Sequence, residues 1–159
     1  METIAIGVGA TAVMDLWMIA RHRLLGIAPA DYGLVGRWIA YMPRGRFRHD
    51  PIGATPPVRG ERTIGWTAHY LTGIAFAALL LLVAGPHWMR QPTLAPALAV
   101  GVATVAAPFL LMQPGMGAGV AASRTKNPRA ARLQSVITHG VFGLGLYVAA
   151  SAYAVMSGA

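Results

Sequence analysis

Asp15, His69, Gln113 and His139 are chemistry-bearing side chains set inside long apolar runs of this 159-residue chain, with Tyr70 next to His69. An aspartate and two imidazoles can relay protons, or release a cationic solute as they change protonation, because histidine titrates near neutrality. Gln113 would orient the ligand. The same donors offer a divalent metal two histidines and a carboxylate, His69, His139 and Asp15. Two facing histidines would instead ligate a b-type haem, with Arg62 and Arg132 placed for its propionates. There is no cysteine, which excludes disulfides, thiolate metal sites, iron–sulfur clusters and c-type haem attachment. No HExxH motif and no readable Ser-His-Asp spacing occur, so the sequence leans away from an enzyme.

The elements that must position these residues are membrane spans. Hydrophobic residues make up 55 % of the chain and charged residues 11 %, against about 25 % charged in an average soluble domain. Crossing about 30 Å of hydrocarbon needs roughly 20 apolar residues, and residues 3–20, 63–84, 94–113 and 133–156 meet that length. The expected fold is an all-α, four-helix membrane bundle forming a single domain over residues 1–159. Span one lacks a basic leader, contains Asp15 and is followed by arginines, so it reads as a retained helix and not a cleaved signal.

At 1.5 Å per residue, Asp15 lies roughly 9 Å, and each histidine roughly 10 Å, from the arginines at the span edges. Gln113 ends span three near the same level. Four helices are thus expected to deliver Asp, His, Gln and His to one layer. Residues four apart share a helix face. Gly65 and Gly73 flank His69, and Ser135 and Gly143 flank His139, so these small-residue stripes should be helix contacts. Thr11 and His22 share the stripe of Asp15. The correspondence of Gly65-x3-His69-x3-Gly73 with Ser135-x3-His139-x3-Gly143 is a weak internal repeat, compatible with two parallel hairpins.

Basic residues are unevenly placed. The first connection holds eight arginines, the third holds Arg124, Lys126, Arg129 and Arg132, and the second only Arg90. The positive-inside rule puts the first and third connections in the cytosol and both termini outside. The net charge of +8 is therefore topology, with anionic lipid headgroups as a further partner; nucleic-acid binding is not needed to explain it. Within the first connection, Leu34, Val35, Trp38, Ile39 and Met42 share one side of a short amphipathic helix capped by Asp31 and anchored by Trp38 and Tyr41 in the headgroup layer. Asn127-Pro128 should start the last helix as cap and first residue. Pro108 should kink span three, and Gln113-Pro114 should end it. His22, His49 and His87 read as solvated loop or edge residues.

"GMGAGVAASR" is a flexible, glycine-rich turn in which backbone amides can converge on an anion, with Ser123 and Arg124 completing the site and Arg62 and Arg132 nearby. It is not a Walker or dinucleotide motif. "GATAVMDLW", "PRGRFRHDPI", "GERTIGWTAHY" and "PFLLMQPGMGAGVAASRTKNPRAARLQSVITHGVFGLGLY" together resemble a small bacterial four-span inner-membrane family, of the domain of unknown function 2938 type. The resemblance implies a bacterial inner-membrane location and four spans, and no activity. The residues leave three roles open: handling a small ionic or polar solute, through a homo-oligomer since four spans enclose little volume; bis-histidine haem redox chemistry; and assembly of a larger membrane complex.

Overall fold

A computed structural model describes residues Met1–Gly158. Among them there is no strand, and the chain is all-helical. Five principal helices follow in order: α1 (Glu2–Leu25), α2 (Tyr32–Tyr41), α3 (Glu61–Ala84), α4 (Leu94–Gly115) and α5 (Pro128–Ser157). All but α2 are long and apolar enough to cross a membrane, with mean hydropathy of 1.5 to 2.1. The four expected spans each fall within one of them. Only 17 to 33 % of each apolar stretch is buried within the protein. Leu16, Leu71, Leu82, Leu111 and Val155 are exposed, as helices facing lipid would leave them.

The helix starts follow their local chemistry. Asp31 caps α2, its carboxylate accepting from the Gly33 amide at 2.8 Å. Asn127 caps α5, its side-chain oxygen accepting from the Ala130 amide, and Pro128 takes the first position. The expected disturbance in α4 takes a specific form. Its regular part ends at Ala103, and Pro108–Met112 form a π-helical turn before the last turn, Gln113–Gly115. Pro108 has no amide to donate back to Thr104, so the ladder must adjust there.

The chain forms two compact units. Unit 1 comprises Met1–Pro29, Tyr70–Thr104 and the chain from Val136; unit 2 comprises Ala30–His69 and Val105–Ser135. The core of unit 1 gathers Ile6, Ala10, Leu80, Trp88, Phe142 and Leu146, all buried. Its helices meet backbone to backbone. A methyl on Gly7 would strike the Ile74 main chain, one on Gly73 the Thr11 hydroxyl, one on Gly101 the Gly143 main chain, and one on Gly145 that of Ala10. Two of the expected small-residue positions, Gly73 and Gly143, are therefore contact points between helices.

In unit 2 the same device docks α2 on the first turns of α3. A methyl on Gly36 would fall on the Glu61 carbonyl, and one on Gly65 on the Tyr32 carbonyl. Gly65 thus serves the short helix. The aromatic residues of α2 tie down the following loop: Trp38 Nε1 donates to the Phe47 carbonyl at 2.9 Å, and the Tyr41 hydroxyl donates to the Pro56 carbonyl at 3.2 Å. Gly36→Ala should destabilise the protein by about 1–3 kcal/mol through overpacking. Gly53→Ala, where nothing lies within 4 Å of the added carbon, should stay within about 0.5 kcal/mol of wild type. Thermal unfolding of the detergent-solubilised protein, followed by circular dichroism, compares the two; equal midpoints would refute the close-docking account.

Candidate functional site

In unit 1, Asp15 projects from α1 and its Oδ2 accepts a hydrogen bond from the Tyr70 hydroxyl at 2.9 Å. Both residues are half-buried. His139, on α5, has its Nδ1 2.9 Å from the Thr104 hydroxyl, which also donates to the Gly101 carbonyl at 2.6 Å. With its one hydrogen directed to that carbonyl, Thr104 is placed to accept from Nδ1–H. That would select the tautomer whose Nε2 is a bare acceptor. The buried Thr11 hydroxyl on the Asp15 stripe turns back to the Gly7 carbonyl.

In unit 2, His69 is packed among aromatic rings. It stacks on Tyr32 at 4.1 Å between centroids and meets Trp66 edge-on at 5.7 Å. Gln113 has a buried Oε1 with no hydrogen-bond partner among the described residues, and a buried amide oxygen without a partner is costly. Also among the described residues, no three His, Cys, Asp or Glu side chains gather closely enough to hold a metal ion.

Sequence reasoning missed the ionic clamp of unit 2. Arg37 of α2 donates from Nε and Nη2 to the two carboxylate oxygens of Glu61, each at 2.8 Å, and from Nη1 to the Thr55 carbonyl at 2.9 Å. Glu61 also accepts from the Val58 amide at 2.8 Å. The side chains are only 12 % and 20 % exposed. This planar fork is a geometry lysine cannot reproduce. The hydrogen bonds that Arg37 donates to Glu61 raise the Arg37 pKa above its already high ordinary value. A signal was present: the chain has only five acidic residues, and an acid at a helix start beside an arginine-rich loop has strong reason to be paired.

The "PRGRFRHDP" and "GMGAGVAASR" turns pack together, which corrects the reading of His49 as a solvated residue. It is buried, 4 % exposed. Its amide donates to the Gly115 carbonyl at 2.9 Å, and its Nδ1 lies 2.8 Å from the Thr55 hydroxyl. Ile52 likewise donates to the Met116 carbonyl at 3.0 Å. Gly117, at φ 91°, has no room for a side chain, since a methyl there would strike the His49 carbonyl. Desolvation, followed by the nearby Arg46 charge, lowers the His49 pKa below its ordinary 6.5. His22 and His87 are exposed, as expected.

Of the expected anion-binding residues, Ser123 and Arg124 line a cavity of about 630 Å³ with Arg46, Arg48, His49 and Asp50. Arg132 donates to the Ala121 carbonyl at 2.8 Å and so braces the glycine-rich turn, while Arg62 is exposed. The amides of Ala118, Ser123 and Arg124 are engaged with the carbonyls of Gln113, Val120 and Ala118. Any anion there would be held mainly by side chains.

The model of the family described as "Protein of unknown function (DUF2938)" matches residues 4–153. The chain belongs to this DUF2938 family. No curated protein and no solved structure matches it. The family match covers every site described above, and the four apolar helices fit a membrane location.

Two predictions test the local electrostatics. Arg37→Ala should lower stability by roughly 2–3 kcal/mol, since it strands a largely buried carboxylate, and Arg37→Lys should restore only part of this. Thermal midpoints in detergent measure both, and full rescue by lysine would remove the case for the fork. For His49, the unfolded chain takes up a proton near pH 6.5, whereas the folded chain does so only at lower pH. Its contribution to stability is therefore complete above about pH 6.5 and lost as pH falls below it. Between about pH 7.5 and 5.5, wild type should lose thermal stability more steeply than His49→Gln; parallel slopes would contradict burial of a neutral ring.

Proposed function

We propose that this DUF2938 protein is an integral membrane protein that binds or passes a small ionic or polar solute, with proton or cation handling centred on Asp15. The observation that carries the reading is the Asp15–Tyr70 hydrogen bond at 2.9 Å. A carboxylate within a spanning helix costs about 2.5–3.5 kcal/mol even on the lenient insertion scale, and such residues are functional candidates by default. The phenol is a neutral donor to the carboxylate, and this pair is the place where the reading puts the exchange of a proton or a cation.

Further support comes from the other polar residues on apolar helices. If Thr104 holds the His139 Nδ1–H, then His139 Nε2 is a proton acceptor. The buried Gln113 oxygen is an acceptor awaiting a donor. His69, stacked on Tyr32, has a face supported by aromatic packing. In this reading Asp15 exchanges charge, Tyr70 orients it, and His139 offers its Nε2 as an acceptor within unit 1.

Proteoliposomes containing the purified protein and an internal pH-sensitive dye provide the test, with a potassium-diffusion potential as driving force. Wild type should carry a proton or cation flux above that of empty vesicles. Asp15→Asn should reduce it at least roughly tenfold, as expected when the charge-exchanging group of a pathway is removed, and Tyr70→Phe should reduce it less. A flux unchanged in Asp15→Asn, or never above background with sodium, potassium and protons each tried, would overturn the reading.

A further inference from the structure

The cavity between the two turns of unit 2 combines features not explained by folding alone. Three arginines line it, Arg46, Arg48 and Arg124, against a single carboxylate, Asp50. Asp50 pairs with Arg124 at 3.5 Å, but both side chains are largely exposed, 79 % and 67 %. Such a pair is weak and leaves the guanidinium accessible. Arg46 is partly preset, lying over the Tyr41 ring at 5.7 Å beside Arg44 at 5.1 Å. His49 adds no negative charge, and Ser123 brings a hydroxyl. The volume, about 630 Å³, is within the range of about 300–1,000 Å³ usual for small-ligand sites.

The turns that carry this lining also expose two apolar side chains. Phe47 stands between Arg46 and Arg48 and is 60 % exposed, and Val120, itself part of the lining, is 56 % exposed. A large exposed phenylalanine flanked by arginines suits a ligand with both an anionic and an apolar part. The turns that carry these residues are fixed in place by the His49–Gly115 and Ile52–Met116 hydrogen bonds, so the arginines extend from a braced base.

We infer that this cavity binds a phosphate-bearing anion, with Arg46, Arg48 and Arg124 contacting the phosphate oxygens and Ser123 donating a hydrogen bond. Guanidinium groups suit this work because they meet phosphate through paired N–H donors. The phosphate comes either from an anionic phospholipid headgroup, with Phe47 and Val120 beside the start of its acyl part, or from a free anion. The inference does not depend on the solute reading above, because none of these residues belongs to the Asp15 set.

The experiment is retention of lipid by the full chain in detergent, read by native mass spectrometry with phosphatidylglycerol, phosphatidylcholine or inorganic phosphate added. Wild type should retain phosphatidylglycerol in preference to phosphatidylcholine. Arg48→Gln/Arg124→Gln should weaken that retention roughly twenty-five-fold, at about fivefold per arginine, while Arg48→Lys/Arg124→Lys should keep much of it. Arg23→Gln, an exposed arginine at the end of α1 in unit 1, should stay within about twofold of wild type, as a charge outside the site should. Retention lost to millimolar inorganic phosphate assigns the site to a free anion, and retention that resists it assigns the site to the headgroup. Equal retention of the two lipids with no phosphate bound overturns the inference, as does phosphatidylglycerol retention that neither the glutamine pair nor added salt diminishes. The salt titration needs only wild type, so misfolding of the variant does not blunt the test.

Discussion

Backbone contact between helices is the constraint on which the protein is built. Helices surrounded by lipid gain little by exchanging one apolar neighbour for another, so their association relies on close packing and on hydrogen bonds. Unit 1 meets that condition at Gly7 against Ile74, Gly73 against Thr11, Gly101 against Gly143 and Gly145 against Ala10. Unit 2 meets it at Gly36 and Gly65. At Gly73 an added methyl group would strike the Thr11 hydroxyl, and at the other places it would push two main chains apart. The same two helices, α1 and α3, that come close at Gly7 and Gly73 also bring the Tyr70 phenol to the Asp15 carboxylate.

Scarcity of acid gives each carboxylate a defined place. Glu2 receives the Tyr153 hydroxyl, Asp15 the Tyr70 hydroxyl, Asp31 the Gly33 amide, Asp50 the Arg124 guanidinium and Glu61 the fork of Arg37. Four of the five thus accept hydrogen bonds from neutral donors, the Val58 amide serving Glu61, and Glu61 adds a well-shielded ion pair. With thirteen basic residues in the chain, most arginines must find carbonyls, rings or solvent instead. Arg132 takes the Ala121 carbonyl, Arg44 and Arg46 take the Tyr41 ring, and most of the remaining positive charge lies in unit 2.

What was legible in the sequence was local. Apolar length announced the spans, Asp31 and Asn127-Pro128 announced helix starts, and glycines four residues from His69 and His139 marked contact faces. Pro108 announced a disturbance in α4, though not that the ladder would widen into a π turn. Contacts between distant stretches left little trace. Thr104 lies 35 residues from His139, and Arg37 lies 24 from Glu61, and neither pair has a spacing that helical periodicity can reveal. His49 looked solvated because its neighbours are charged; the Gly115 and Thr55 groups that bury it are remote or ordinary in sequence. Ala121 and Ala122 at φ 46° and 58° were equally hidden, since alanine gives no hint of a left-handed backbone.

These distant contacts form one connected path within unit 2. Glu61, at the start of α3, holds Arg37 of α2; Arg37 holds the Thr55 carbonyl; the Thr55 hydroxyl meets His49; and the His49 amide holds the Gly115 carbonyl at the end of α4. Arg46, Arg48 and Asp50 sit on the strip of chain that this path pins, and Ser123 and Arg124 lie on the turn against which it is pinned. Long arginine side chains lose considerable rotamer freedom when they grip a ligand, and a mobile loop would add the cost of ordering its backbone. A base already fixed by charge-assisted and buried hydrogen bonds removes the second of these costs. The clamp and the arginine-lined cavity are therefore parts of one arrangement, in which a single acidic residue at the first turn of a spanning helix helps to set where the positive charge of the loops is presented.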